Sequence, residues 1–173
     1  MPREIYYHRK DLSAATETVF FDTSRAEATN KEIDTNMPMA YKVGKNVVIK
    51  KIVVQLPTVV ASSSTASDTS ILDNLKAMIE EGVIVVQVGD GRYYYFPLVY
   101  ALPKSQVDAV AQYTQGTAAD GTFVIASAQS VTDSYGLEVE IPWGAEEELK
   151  FTIKTSTAVT LSNVKVILEC ETA

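Results

Sequence analysis

Apolar and polar residues alternate along most of this chain, and Gly, Pro, Asp and Ser break the alternation at short intervals. A period of two puts successive side chains on opposite faces of an extended strand, so these runs predict half-buried β-strands. Residues 47–56 (VVIKKIVVQL) form the first strong one, rich in β-branched residues and stopped by Pro57. Lys50 and Lys51 interrupt both of its faces together, which predicts a bulge or a change of face. Residues 83–88 (VIVVQV) are apolar on both sides and predict an interior strand. Asp90-Gly91 then signals a tight type I′ hairpin into the return strand 92–96 (RYYYF), with residues 98–102 continuing as an edge. Four strands close the chain: 122–127, 137–141, 149–155 and 164–171. In the last three, Leu137, Val139 and Ile141, then Leu149, Phe151 and Ile153, then Val164, Val166, Leu168 and Cys170 face inward.

One stretch switches to helical spacing. In residues 68–81, Ile71, Leu75, Met78 and Ile79 fall on one stripe, with Asp68 or Ser70 as the N-cap and Gly82 as a C-terminal stop able to take positive φ. Before it, residues 61–67 (ASSSTAS) read as a polar surface loop, and 103–119 as a long connection with a helical turn at 106–112.

Residues 1–44 differ from the rest. Charges are dense, and the apolar clusters are short: Ile5-Tyr6-Tyr7 and Val19-Phe20-Phe21. This predicts an extended N-terminal arm, which either pairs with another sheet edge or subunit or folds back on its own domain. Residues 45–173 form the single domain. The fold class expected is all-β: an antiparallel β-sandwich or jelly-roll barrel of about eight strands, with one short inserted helix and the arm. Tyr6, Tyr7, Phe20, Phe21, Tyr93, Tyr95 and Trp143 are the candidate interface residues, since Tyr and Trp are enriched at subunit contacts.

Composition narrows the function. The 173 residues carry a formal charge of -7, and no basic stripe offers itself to phosphates, so no nucleic-acid partner is expected. Lys50-Lys51 and His8-Arg9-Lys10 read as solvated patches. The acidic surface and the lack of a long apolar run argue against direct membrane insertion, and the charged start MPREIYYHRKD against a secretory signal. The single Cys permits no internal disulfide.

Reactive groups are scarce. His8 is the only His and sits in the charged arm, a poor position for a catalytic imidazole. One His and one Cys do not make a zinc site, and Cys170 reads as a small buried hydrophobe. Glu138 with Glu140, and Glu146-Glu147-Glu148, are the only carboxylate sets suggesting glycoside hydrolysis, and both read as solvated charge. Asp120, Asp133 and Glu146 to Glu148 lack the ordered loop of a calcium site. Gly89-Asp90-Gly91 opens a strand and not a helix, so it is a hairpin and not a phosphate loop. No catalytic, cofactor or metal residue is assigned, and the chain is not expected to be an enzyme.

A charged arm entering a first long strand (VVIKKIVVQLP), a short helix, and paired closing strands (EVEIPWGAEEELKFTIKTSTAVTLSNVKVILECE) together resemble a known group. These are the single jelly-roll major capsid proteins of tailless icosahedral viruses with an internal membrane, among them the small major capsid proteins of the membrane-containing phages of Thermus. The resemblance covers residues 47–171 in general pattern. It implies a self-assembling building block of an icosahedral shell, located in the virion and made in the host cytoplasm. It further implies homo-oligomers, arm exchange between subunits, and a second, larger capsid protein in the same lattice. The alternative from the residues themselves is a carbohydrate-binding β-sandwich, with Trp143 and Tyr93 to Tyr95 as the stacking platform.

Overall fold

The computed structural model describes residues 3–38, 41–57, 59–62, 66–102, 122–125 and 136–173. In chain order the elements are β1 (Arg3–Phe20), β2 (Val47–Gln55), β3 (Val59–Ser62), α1 (Ala66–Glu81), β4 (Val83–Val88), β5 (Arg92–Pro97), β6 (Thr122–Ile125), β7 (Leu137–Trp143) and β8 (Leu149–Thr172), with 3₁₀ turns at Lys31–Ile33 and Leu98–Ala101. Antiparallel β-sheet dominates and one α-helix is inserted, as the alternation predicts. The connection at 103–119, with Asp120 and Asp133, lies outside the described residues.

β8 organises the sheet. The two strands expected at 149–155 and 164–171 are one strand of 24 residues, because the segment between them keeps pairing with β1 through Leu12–Leu161 and Ala15–Val159. The ladder shifts register three times between Lys10 and Glu17. Ala14 (φ 48) and Asn163 (φ 56) each adopt the left-handed conformation in this stretch. Bulges and left-handed residues bend strands, and here both strands of the ribbon turn at the same level. Asp11 Oδ1 accepts from the Asn163 amide at 2.8 Å, and Thr160 Oγ1 accepts from the Ala14 amide at 3.1 Å, holding the bend.

Each half of β8 has its own neighbours. Residues 149–154 pair with β4, which pairs with β5, and β1 residues 17–20 lie on the other side. Residues 165–172 pair with β2, which pairs with β7, and β1 residues 3–10 lie on the other side. The sheet curls at the bend, and the inner faces of its halves share one apolar core. His8 from one half and Phe20 from the other meet there, ring centroids 6.1 Å apart. β3 and β6 form a separate two-stranded ladder.

β1 corrects the arm expected at 1–44. Residues 3–20 form a strand of the main sheet, and Tyr6, Leu12, Phe20 and Phe21 are core residues. Alternation in this segment is diluted by charges that face outward, which hid its inward face. The segment behind it also returns to the domain. Arg9 N donates to Asp34 O at 2.6 Å, Tyr7 N to Asn36 Oδ1 at 2.8 Å, and Thr35 Oγ1 to Tyr7 O at 2.9 Å, so residues 34–36 cover the free edge of β1.

Other expectations resolve in detail. The β2 ladders shift register between Ile49 and Lys51, the bulge expected there. It lets Ile49 and Ile52 both point into the core while Lys50 and Lys51 both face out. The hairpin between β4 and β5 has three loop residues, 89–91, and only Gly89 takes positive φ (63°), so it is not the two-residue turn expected at Asp90-Gly91. The helix starts at Ala66, inside the stretch read as a loop, and Leu75 and Met78 are fully buried. Gly82 follows it without positive φ. Glycine is required there by close packing, because a Cβ would lie 2.6 Å from Leu98 Cδ2 and 2.2 Å from the Met78 carbonyl oxygen. Residues 98–101 coil into a 3₁₀ turn instead of extending an edge strand. β4 alternates between buried and exposed positions and is not apolar-buried on both faces. Thr152 lies on the face opposite Phe151 and Ile153, yet it is buried, between its cross-strand neighbours Val19 and Val85 on a central strand.

Candidate interaction surface

The seven residues proposed as interface divide sharply. Tyr6, Phe20, Phe21 and Trp143 are buried, so they build the core and are corrected as interface candidates. Tyr6 and Trp143 meet edge to face, centroids 5.7 Å apart, and the Trp143 indole donates to Glu147 O at 2.9 Å. Burial and the bond to Glu4 raise the Tyr6 phenol above its usual range. Tyr7 is half-buried, with the Lys165 ammonium 5.4 Å from its ring centre and its hydroxyl bonded to Glu32 O. Trp143 is thereby removed from any sugar platform.

Tyr93 and Tyr95 are 51% and 66% exposed. They stand two residues apart on β5, rings nearly parallel (13°) and centroids 6.5 Å apart, while Tyr94 and Phe96 between and beyond them pack against the core. Alternation along β5 thus sorts its aromatics into an inner and an outer set. Gln87 and Val85 are their partners across β4, with exposed Val83 next in the row. Tyr100, also exposed, follows on the 3₁₀ turn.

The opposite outer face is charged. Lys50, Lys51, Glu138, Glu140, Glu169 and Glu171 line an open groove of about 710 Å³ across β7, β2 and β8. Lys50 Nζ donates to Glu140 Oε1 at 2.6 Å, and that contact holds the Glu140 carboxyl below its usual range. Such a carboxyl is a poor proton donor near neutrality. Glu147, the other suspected carboxylate, is structural: it takes the Gly144 amide at 3.0 Å and pairs with Arg92, tying the turn before β8 to the β4–β5 hairpin.

His8 is buried against Phe20 and Phe21, contrary to its expected place in a solvated arm. Burial is the main cause of a pKa lowered to about 4; Asp22 opposes it. Cys170 is buried and free, and burial pushes its thiol up to about 12, far from reactivity. Among the described residues, no group of His, Cys, Asp and Glu is placed to hold a metal ion, and no helix is long and apolar enough to cross a membrane.

In the main sheet three strands have an outer side on which no strand of the described residues pairs, β1, β5 and β7, and the short β3 and β6 of the separate ladder each have one as well. Exposed edges template unwanted pairing and are blunted by charge, Pro or coverage. β1 is covered by residues 34–36 from Ile5 to Arg9 and carries Glu17 beyond its bend, and β7 carries Glu138, Glu140 and Pro142. Among the described residues nothing covers β5, and its middle has neither charge nor Pro: its one charge, Arg92, is at the hairpin end and paired with Glu147, and Pro97 is its last residue. Among the described residues the exposed tyrosines therefore sit on the least protected edge of the main sheet. Sequence reasoning named them, but it could not separate them from the four buried aromatics, which differ only in the face they take.

Geometry and fold together define an antiparallel all-β protein with one inserted helix. Compared with known proteins, the chain matches no family model, no curated sequence and no solved structure.

Proposed function

We propose that this chain is a structural capsid protein, a self-assembling jelly-roll building block of an icosahedral shell, and not an enzyme. The observation that carries the reading is the pairing order. Counting β1 and β8 as two strands each, on either side of their shared bend, and leaving out the separate β3–β6 ladder, yields eight strands in chain order. One half-sheet then runs 1-8-3-6 and the other 2-7-4-5. That order is the one two interleaved Greek keys produce in a jelly roll, an architecture used by viral capsids and by lectins. The sole His and the sole Cys are buried, and two of the suspected carboxylates, Glu140 and Glu147, are tied into ion pairs. This suits a protein selected for its surfaces.

On this reading the chain forms homo-oligomers and shares its lattice with a second, larger capsid protein. It sits in the virion shell and binds neither nucleic acid nor the membrane interior. Static light scattering tests it: the purified chain alone or with its companion shell protein is expected to give defined oligomers or particles. A strict monomer at high concentration, unmoved by any virion component, would overturn it.

The near-parallel Tyr93 and Tyr95 rings favour a second reading, a carbohydrate-binding module stacking sugars on β5. Glycan binding lost in Tyr95→Ala with the fold intact would support it over the first.

A further inference from the structure

We propose that two copies of this chain join through β5, strand to strand about a two-fold axis, so that the half-sheets bearing Tyr93 and Tyr95 become one continuous sheet. The proposal rests on the assembly reading and names the edge that assembly uses.

The backbone supplies the first argument. Leu98 N donates to Gly82 O at 2.8 Å, which sets the phase of the β4–β5 ladder. Antiparallel ladders alternate, so Arg92, Tyr94 and Phe96 bond inward to β4. Tyr93 and Tyr95 aim both their N–H and C=O groups at the open edge. An incoming antiparallel strand satisfies all four groups, and β5 itself is such a strand. With Tyr94 facing its own copy, Tyr93 of each chain exchanges two hydrogen bonds with Tyr95 of the other. The four exposed rings then line one face of the joint, where aromatic cross-strand pairs are favourable.

Charge selects the occupant. The chain carries a formal charge of -7, so like molecules repel wherever their acidic surfaces meet. Pairing β7 with β7 would set Glu138 and Glu140 of both copies together, whereas β5 brings only uncharged side chains to the centre and an Arg92 already balanced by Glu147 at each end. Of the open edges of the main sheet, β5 is thus the one at which equal acidic chains meet with least repulsion.

Register-specific crosslinking tests it. Tyr93→Cys and Tyr95→Cys proteins are made separately and oxidised alone or mixed; Cys170 is buried and stays out of the reaction. The mixture is expected to give a 93-to-95 disulfide dimer that neither protein gives alone, since only that pair faces across the axis within disulfide reach. No dimer in the mixture, or equal dimer in all three samples, overturns the proposal. Tyr95→Pro is the independent variant: it removes an N–H that β4 does not use, so the thermal transition should persist while light scattering loses the dimer. A dimer that survives in a folded Tyr95→Pro protein also overturns it. A positive crosslink with no incorporation into shells would sink the capsid reading and leave this contact standing; shells assembled by Tyr95→Pro would do the reverse.

Discussion

His8 Nε2 lies 3.5 Å from Asp22 Oδ1, in a pocket closed by Phe20 and Phe21, and its Nδ1 is buried with no hydrogen-bond partner. The only imidazole of the chain is therefore held neutral inside the core. Its pKa falls from 6.5 to about 4, chiefly through burial, with Lys10 adding to the shift and Asp22 and Asp34 opposing it. A base whose folded pKa is depressed stabilises the fold fully above its unfolded pKa, where both states are neutral. As pH falls from 6.5, the unfolded chain takes up a proton that the folded chain refuses, and stability drops until pH reaches about 4. The loss from this one group is roughly 3 kcal/mol. Urea unfolding at pH 7 and pH 4.5 is expected to show the wild type losing more stability on acidification than His8→Phe.

Trp143 is the sole Trp and is fully buried, so its emission should be blue-shifted in the native protein and move to the red in one step on unfolding. Trp143→Ala should cost about 3–5 kcal/mol through the cavity it leaves. Trp143→Phe should cost less, losing mainly the indole bond to the Glu147 carbonyl. Denaturant midpoints of the two variants check the order. A Trp143→Ala protein with wild-type stability would show that the ring does not pack as described.

Asn163 holds φ at 56° where β8 bends, a conformation that short polar residues tolerate and β-branched residues do not. Asn163→Gly is expected to leave stability within about 0.5 kcal/mol of wild type. Asn163→Val should lose about 1–2 kcal/mol, since a left-handed β-branched residue is strained. Thermal melts of the pair decide it, with equal values counting against a bend set by local conformation.

Gly82 separates α1 from β4 at a point where no Cβ fits between the Met78 carbonyl and the Leu98 side chain. Gly82→Ala should therefore destabilise by about 1–3 kcal/mol through overpacking. The ordinary preference for Ala over Gly in an unstrained position would predict the opposite sign. A raised melting temperature would show that α1 can move away from the 3₁₀ turn.

Much of this fold was legible in local pattern. Alternation placed Val164, Val166, Leu168 and Cys170 on one inward face, and all four are fully buried. The paired lysines announced the bulge in β2, because two adjacent charges cannot both stay outside on a regular strand. Helical spacing located Leu75 and Met78 on the buried face of α1. Turn chemistry marked the β4–β5 hairpin, though not its loop length, since only the ladder register counts the loop residues. Of the candidate surface, the exposed tyrosines were named from composition.

Period-two chemistry is written residue by residue, so the strands and the inward sets were decided by the chain's own order. The partners of β1 and β8 are separated by up to well over a hundred residues, as Tyr6 and Leu168 are, and no local signal encodes them. Tertiary packing alone therefore turned the expected arm into a core strand and sent His8 inside. It also joined two predicted strands into β8 and separated the tyrosines left at an open edge from the aromatics that fill the core.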